Sequence, residues 1–383
     1  MSILIHYSEI ATKGRNRPFF ENMLVKNIKK ALDTKKVKKL YGKILVEAGP
    51  NDAKGVSEEK ENILRHIPGI VHFSFCHVME PKLEKIKKVV LDIAKKSKAK
   101  TFRIASARSD KRFAYNSMQL NNILGEYVVA HAKMKVKLKD PELTIFVEID
   151  PKYAFIYDSK IKGIGGLPVG SAGKIVCLLS GGIDSPVSAY SLMKRGCEVV
   201  FVHFYNYDEK AKPAKKKKIE QLIETLNKFQ LKSRLYMIPF LDLQVELVKH
   251  VPPRYRMIVY RRVMFKIAGQ ILESEGAKGF VTGDNIAQVA SQTLENLNVI
   301  YEATRYPVFA PLIGLNKQEI IEIAEHIGTY KTSIIPYEDC CTFLVAKHPE
   351  TRATIEKIKE IESGLGINEM IIDAVRRSEV IDF

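Results

Sequence analysis

The C-terminal half of the chain alternates short apolar runs with amphipathic segments, and this alternation constrains the fold most strongly. Its first unit reads KIVCLLSGGIDSPVSAYSLMKRGCEVVFVHF, from Lys174 to Phe204. The apolar runs are continuous, as in parallel strands that are covered on both faces. Strands are predicted over 174–179, 198–204, 233–238 and 279–283, and helices over 186–195, 214–229, 242–249, 255–275 and NKQEIIEIAEHIG. This half is therefore predicted to be a doubly wound parallel α/β sheet.

The segment SGGIDS lies where the first predicted strand turns into a helix. Gly181 and Gly182 allow a tight turn and close approach to a ligand, and amides at a helix N-terminus bind anions. Ser180 and Ser185 add hydroxyl donors, so the loop is predicted to bind phosphate. Because Asp184 brings a negative charge, we expect it to hold Mg²⁺ or to orient the reacting groups. The loop is not a Walker A sequence, since no Gly-Lys-Ser/Thr follows it.

The N-terminal half reads as short α+β units. Strands are predicted over 3–7, 43–48, 71–78, 101–108, 143–149 and 153–161, and helices over 17–32, 57–67 with Ser57 as N-cap, 81–96 and 116–132. The glycine-rich segment 162–174, KGIGGLPVGSAGK, is predicted to link this half to the next.

The positive charge is concentrated in the first half of the chain. Residues 1–170 hold 33 Lys and Arg against 18 Asp and Glu, whereas residues 171–383 hold 28 against 26. Such an excess favours a polyanionic partner, and nucleic acid is the interpretation that fits best. A lysine-rich, solvated surface, as in thermophilic proteins, is the alternative.

Composition also bears on location. Five cysteines in 383 residues do not form a disulfide framework. No apolar run reaches the length of a membrane span, and the start MSILIHYSEIATKGR lacks the features of a signal peptide. We therefore expect a cytoplasmic protein in a reducing environment, with no membrane partner.

Several segments resemble one known family. SGGIDS resembles the SGGxDS PP-loop of ATP pyrophosphatases, which cleave ATP between its α and β phosphates. HYSEIATKGRNRPFFENMLVKNI, LLSGGIDSPVSAYSLMKRG, TGDNIAQVASQTLENL and PYEDCCTFLVAKHP resemble, in the same order, blocks of the tRNA 4-thiouridine synthetases. The resemblance covers essentially the full chain. It implies a ferredoxin-like domain over 1–55, a tRNA-binding THUMP domain over 56–165 and a Rossmann-like PP-loop domain over 166–383.

The resemblance also implies a set of ATP contacts. Phe204 can stack on adenine, Gly283 can leave room for a ring or ribose, and Arg261 can neutralise phosphate. His203 has a strong alternative, since a histidine at a strand end often has a structural hydrogen bond. The positions carried over are Leu178, Leu179, Ser180, Gly181, Gly182, Asp184, Ser185, His203, Phe204, Arg261, Gly283 and Gln292.

The family's reaction is then expected here. ATP with Mg²⁺ would adenylate the C4 oxygen of a tRNA uridine, at position 8 in the family, and sulfur from a cysteine desulfurase or another donor would replace it. Some members also supply sulfur for the thiazole of thiamine, and the sequence leaves this open. A homodimer is expected. Two alternatives remain: a PP-loop enzyme acting on another base, and a non-catalytic tRNA-binding protein.

The cysteines divide into two groups. Cys340 and Cys341 are the candidates for sulfur handling, with packing as small hydrophobes as the alternative, while Cys76, Cys177 and Cys197 are read as packing residues.

Two departures from longer or archaeal members concern sulfur delivery. Some long bacterial members carry a C-terminal rhodanese domain that accepts persulfide sulfur. This sequence ends in AVRRSEVIDF, and no rhodanese domain is expected. Met257 and Tyr260 stand where archaeal members carry a Cys-x-x-Cys pair, so neither an iron–sulfur cluster nor a structural zinc is expected.

Overall fold

The computed structural model describes residues 1–48, 58–206, 212–336, 340 and 343–383. These residues form two compact units, Met1–Gly166 and Leu167–Phe383. The predicted boundary between residues 55 and 56 and the predicted N-cap Ser57 lie outside the described residues.

The N-terminal unit is built on one nine-stranded sheet of order β2-β3-β1-β4-β8-β7-β5-β6, with β9 also paired to β4. Its strands are β1 (Ser2–His6), β2 (Val37–Leu40), β3 (Lys43–Val46), β4 (His72–Met79), β5 (Thr101–Arg108), β6 (Lys135–Val136), β7 (Leu143–Ile149), β8 (Ala154–Tyr157) and β9 (Ile161–Lys162). Its helices are α1 (Arg17–Ala31), α2 (Glu58–Arg65), α3 (Leu83–Lys96) and α4 (Ser117–Ala132). Asn116 and Gln119 form a reciprocal capping box at the start of α4.

Strand β4 belongs to both halves of this sheet. Its first residues pair antiparallel with β1, in a register that sets His72 opposite His6. Its last residues pair antiparallel with β8, where Met79 lies opposite Ala154. The strand predicted over 153–161 is in fact two, β8 and β9, which pair with these two different parts of β4.

The C-terminal unit has a six-stranded sheet of order β14-β13-β10-β11-β12-β15. Its strands are β10 (Lys174–Leu178), β11 (Glu198–Tyr205), β12 (Arg234–Pro239), β13 (Phe280–Val281), β14 (Val308–Phe309) and β15 (Glu379–Asp382). Its helices are α5 (Asp184–Lys194), α6 (Lys212–Gln230), α7 (Leu241–His250), α8 (Arg256–Ser274), α9 (Leu294–Tyr301), α10 (Lys317–Ile327), α11 (Tyr330–Ser333), α12 (Ile355–Ser363) and α13 (Asn368–Arg376).

The order of these strands fixes where a ligand can bind. The chain moves from β10 to β11 and β12 on one side, then returns to place β13 and β14 on the other side of β10. The pairs among these five strands are parallel, which confirms the predicted doubly wound class. In such sheets the crevice lies where the strand order reverses, beyond the carboxyl ends of the strands. Here that point is between β10 and β13.

The edges of the sheet differ from the sequence prediction. Strand β15, which was not predicted, pairs antiparallel with β12, and its alternating half-exposed pattern does not resemble the continuous apolar runs of the inner strands. Strand β13 has two residues rather than the predicted five. Gly279 precedes it because a Cβ there would lie 2.8 Å from the carbonyl oxygen of Pro307.

Both faces of the C-terminal sheet are buried: Val176, Val200 and Phe280 lie on one face, and Cys177 and Phe201 lie on the other. Among the described residues, no helix combines the length and apolar character that a membrane span requires.

Candidate active site

A cavity of about 350 Å³ opens at the carboxyl ends of β10, β11 and β13. This is within the range of small-molecule sites. Most of the predicted site residues line it, namely Leu178, Leu179, Ser180, Asp184, Ser185, His203, Phe204, Arg261, Gly283, Gln292 and Cys340. Gly181 and Gly182 lie in the adjoining loop rather than in the cavity wall. Cys341 lies outside the described residues.

The loop between β10 and α5 is fastened by its two serines. The Ser180 amide donates to Ser185 Oγ at 2.9 Å, and the two hydroxyl oxygens are 3.0 Å apart. The Gly182 amide donates to Ser180 Oγ at 3.3 Å. Neither Gly181 nor Gly182 has a positive φ, so left-handed backbone is not what requires glycine here. The serines predicted to donate to phosphate thus also hold the shape of the loop.

Asp184 is the first residue of α5 and accepts two hydrogen bonds. Lys317 Nζ lies 2.6 Å from Asp184 Oδ1, and Gln288 Nε2 donates to Asp184 Oδ2 at 2.8 Å. Lys317 begins α10 and is about half exposed, so its ammonium group lies at the mouth of the cavity. The sequence prediction missed both partners, because more than 100 residues separate each from Asp184.

A buried carboxylate that the sequence prediction also missed lies in the cavity wall. Asp284 follows β13 and is 3% exposed. Arg261 Nη2 donates to both its oxygens at 2.8 and 2.7 Å, Gln292 Nε2 donates at 3.1 Å and the Tyr301 hydroxyl at 2.7 Å. Burial disfavours its charge, but Arg261 and the hydrogen bonds outweigh burial and lower the pKa of Asp284.

Two predicted ATP contacts have protein partners of their own. Arg261, predicted to bind phosphate, is oriented by Asp284 on the cavity wall. Gln292 lies on the other side of Asp284, and its Oε1 is buried without a hydrogen-bond donor among the described residues. That oxygen can accept a hydrogen bond from a ligand.

Gly283 has a different physical reason from the one expected. A Cβ at this position would lie 2.8 Å from the amide nitrogen of Ser185 and 2.9 Å from the carbonyl carbon of Asp184. The space beside Gly283 is therefore taken by the start of α5 rather than left open for a ring. Glycine at position 283 allows the loop after β13 to pack against the SGGIDS loop and the start of α5.

His203 and Phe204 end β11 inside the cavity. His203 is 2% exposed and its Nδ1 donates to the Leu179 carbonyl at 2.8 Å, so the structural alternative holds while the residue also lines the cavity. The Phe204 ring packs edge-to-face on Phe240 with 5.4 Å between ring centroids. His203 therefore bonds to the backbone that follows β10, and Phe204 is held by aromatic packing beside the cavity.

The cysteines separate by position. Cys340 is 5% exposed, packs in the apolar core of this unit and lines the cavity. Burial raises the pKa of Cys76 to about 12 and also raises the pKa values of Cys177 and Cys197. Since the thiolate is the reactive form, these three are unsuited to sulfur chemistry. This agrees with their prediction as packing residues.

The positions of the absent cysteine pair are filled by other side chains. Met257 lines the cavity, and Tyr260 is fully buried with its hydroxyl donating to the Phe343 carbonyl at 3.2 Å. Across the ranges that the structure describes, no three His, Cys, Asp or Glu side chains gather as metal ligands would.

Comparison with known proteins identifies the family. The family model "Thiamine biosynthesis protein (ThiI)" matches residues 170–367, the "ThiI ferredoxin-like domain" matches 2–74 and the "THUMP domain" matches 80–158. A probable tRNA sulfurtransferase of Caldanaerobacter subterraneus subsp. tengcongensis is 44% identical over 373 residues, covering 96% of each chain. One from Thermus thermophilus is 39% identical over 384 residues, covering 98% of this chain and 92% of the relative.

A solved structure is similar over the same length. A crystal structure described as a 4-thiouridine synthetase–RNA complex with bound ATP is 35% identical, with a TM-score of 0.89, and covers 100% of this chain and 99% of that one. The resemblance drawn from SGGIDS and the other segments is thereby confirmed. On these identities and coverages, the chain belongs to the tRNA sulfurtransferase (ThiI) family.

Proposed function

We propose that this chain is an ATP-dependent tRNA sulfurtransferase that converts a tRNA uridine to 4-thiouridine. The observation that carries the proposal is the cavity at the switch point of the C-terminal sheet. There the SGGIDS loop, the start of α5 and the Arg261–Asp284 pair face one space. The named relatives support the same reaction class.

ATP is proposed to bind in this cavity, with its phosphates at the start of α5 and its base toward Phe204 and Met257. Mg²⁺ fits the donor set, because it binds proteins through one or two carboxylates and completes its shell with phosphate and water oxygens. Asp184 would hold it, and Mg²⁺ would neutralise charge on the departing pyrophosphate. Lys317, 2.6 Å from Asp184, adds a second positive charge on that side.

The first chemical step is proposed to be adenylation. The C4 oxygen of uracil attacks the α-phosphorus, the bond from that phosphorus to the bridging oxygen breaks, and pyrophosphate leaves; the N3 proton is released to solvent as the C4=N3 double bond forms. Arg261, oriented by Asp284, and the amides at the start of α5 are positioned to stabilise the developing negative charge. The product carries AMP on C4, which is a far better leaving group than oxide.

The second step replaces AMP with sulfur. A thiolate of the Cys340–Cys341 pair is proposed to take the terminal sulfur of a donor persulfide, releasing the donor thiol. The new persulfide attacks C4, AMP leaves, and a thiol reductant cleaves the resulting disulfide to release 4-thiouridine. Cys340 is placed for this role because it lines the same cavity as Arg261 and Ser185.

The N-terminal unit is proposed to bind the tRNA. Its excess of Lys and Arg suits phosphate contacts, and the THUMP match over residues 80–158 lies within it. The target uridine, at position 8 in the family, must leave its stack to reach a closed site. We propose the functional division at 1–55, 56–165 and 166–383.

Further features of the proposal concern partners. A cysteine desulfurase is proposed as sulfur donor, and a cytoplasmic homodimer as the working form. No iron–sulfur cluster takes part, because Met257 and Tyr260 replace the cysteines that would bind one. Sulfur supply to thiamine synthesis is a further possibility of the same chemistry.

The test combines two measurements on Asp184→Ala. We expect the intact protein to release pyrophosphate in the presence of tRNA and to produce 4-thiouridine, detected by mass spectrometry of digested tRNA. Asp184→Ala should abolish both and change the melting temperature by no more than a few degrees, because Asp184 lies in the first turn of α5 and outside the apolar core. Thiolation at another base would instead identify a related PP-loop enzyme, and RNA binding without pyrophosphate release would identify a binding protein.

A further inference from the structure

Side chains from three helices hold the backbone on both sides of the two-cysteine segment. Each donates to a main-chain carbonyl of the stretch from residue 333 to 344. The pairs are Lys218 to Ser333 and Ile335, Gln244 to Cys340, Tyr260 to Phe343, and Arg256 to Leu344. The donors lie on α6, α7 and α8, so the segment is anchored to the core of the C-terminal unit.

Gln244 makes the bond at the cysteine itself. It lies in the first half of α7, and its Nε2 donates to the Cys340 carbonyl at 2.6 Å. That carbonyl belongs to the peptide group that joins Cys340 to Cys341. Gln244 is not among the residues that line the cavity, and it reaches the cavity wall through Cys340.

The environment of Gln244 is unfavourable for an amide. The side chain is fully buried, and its Oε1 has no hydrogen-bond donor among the described residues. Leu243 and Leu247 on the same helix are part of the apolar core that includes Cys340. A leucine or methionine would fill this volume without burying an unpaired oxygen. The amide is therefore better explained by the bond it makes than by stability.

We propose that Gln244 is a positioning residue for the sulfur-transfer step. It fixes the main-chain carbonyl of Cys340, which lines the cavity, and so keeps the sulfur-carrying thiol in position to attack the adenylated uridine. This inference rests on the proposed function, in which the cysteine pair carries sulfur. Adenylation does not need Gln244, because that step uses ATP, the SGGIDS loop and Arg261 and involves no cysteine. Free sulfide does not need it either, because sulfide attacks the adenylate without a protein thiol.

The test compares two sulfur sources in the full-length enzyme. Gln244→Met keeps the volume and removes the donor. We expect thiolation driven by a cysteine desulfurase to fall between about tenfold and a hundredfold, the range for a displaced reacting group. Pyrophosphate release with tRNA and thiolation driven by excess sulfide should stay at the level of the unmodified enzyme. Gln244→Leu, which also replaces the donor with an apolar side chain, should show the same split and serves if the methionine variant folds poorly.

Gln230 provides the matched control. It is also a buried glutamine, 6% exposed, and its Nε2 donates to the Val199 carbonyl at 2.9 Å and to Ser233 Oγ at 2.6 Å, away from the cysteines. Gln230→Met should lower the melting temperature and leave the ratio of the two sulfur routes unchanged. If Gln244→Met behaves like Gln230→Met, or lowers both routes and pyrophosphate release equally, the positioning role is overturned.

A parallel variant separates this inference from the function beneath it. Cys340→Ser/Cys341→Ser should lose desulfurase-driven thiolation and retain pyrophosphate release and part of the sulfide-driven reaction. If the double variant loses the desulfurase route and Gln244→Met retains it, only the role of Gln244 is wrong. If the double variant keeps the desulfurase route, the cysteine pair does not carry sulfur and the inference for Gln244 falls with it.

Discussion

Two carboxylates with a lowered pKa, the partly buried Glu148 in the N-terminal unit and the buried Asp284 in the C-terminal unit, have similar partners and different surroundings. Glu148 on β7 accepts hydrogen bonds from Lys43 at 2.6 Å and from the Tyr157 hydroxyl at 2.6 Å. Its Oε1 lies 3.0 Å from His6 Nε2. Burial opposes the charge of Glu148, but His6 and Lys43 outweigh it and lower the pKa. Asp284 has the same combination of a cation and a tyrosine.

The difference between the two is their place in the sheet. Glu148 lies within β7, where its strand neighbours surround it. Asp284 follows the carboxyl end of β13, where its Arg261 partner lines the cavity. A lowered carboxyl pKa therefore indicates that cations and hydrogen-bond donors surround the group. The position at the switch point indicates which of the two carboxylates can act on a ligand.

The largest expected effect comes from Asp284→Asn. Arg261 would keep its charge but lose the carboxylate that orients it toward the cavity. We expect the rate of pyrophosphate release in a single turnover to fall by about two to three orders of magnitude, as when a preorganised donor is lost. Near-normal release would show that Arg261 does not depend on Asp284.

Glu148→Gln should lower the free energy of unfolding and leave catalysis unchanged. Lys43, with a side chain that is 10% exposed, would lose its closer carboxylate and keep only Asp150 at 3.2 Å. We expect the free energy of unfolding to fall by about 2 kcal/mol, because Lys43 and Tyr157 lose the charged partner of a hydrogen bond while Lys43 keeps Asp150. Denaturant unfolding measures this, and pyrophosphate release per folded molecule should stay unchanged. A loss of activity without a loss of stability would break the comparison.

The smallest expected effect is a pH dependence of stability that arises from His72 in the N-terminal unit. The ring of His72 stacks on His6 with 4.4 Å between centroids, and burial together with the charges of His6 and Lys160 lowers its pKa from 6.5 to about 4. The unfolded chain therefore takes up a proton at His72 before the folded protein does, and stability falls as pH drops from 6.5 toward 4. His72→Asn should flatten the melting temperature between pH 7 and pH 5 by a few degrees. An unchanged slope would place the acid sensitivity elsewhere.

The sequence predicts the parts of the site that lie within one local motif. SGGIDS follows a continuous apolar strand, so its place at the carboxyl edge of a parallel sheet could be expected. The same holds for His203 and Phe204 at the end of β11. Asp284 offered a weaker signal, since Thr282 and Gly283 separate it from a strand of only two residues.

Contacts between distant segments could not be predicted in this way. Lys317 reaches Asp184 only because the strand order brings α10 beside α5, and no spacing in the chain encodes that approach. The reason for Gly283 also depends on packing, since the clash that excludes a side chain is with the backbone of another segment. Strand β15 was not predicted because an exposed edge strand need not be apolar on both faces.

The sharing of β4 by both halves of the N-terminal sheet has a consequence for how this unit opens. Residues 72–76 of β4 pair with β1, and residues 77–79 of β4 pair with β8. If β4 left the sheet, β1 and β8 would both lose a hydrogen-bonded neighbour. The amides of β1, β4 and β8 should then exchange with solvent in one cooperative event rather than domain by domain. A cut between the two halves would leave an unpaired edge open to association. The N-terminal unit, which we propose binds tRNA, is thus one folding unit from residue 1 to residue 166.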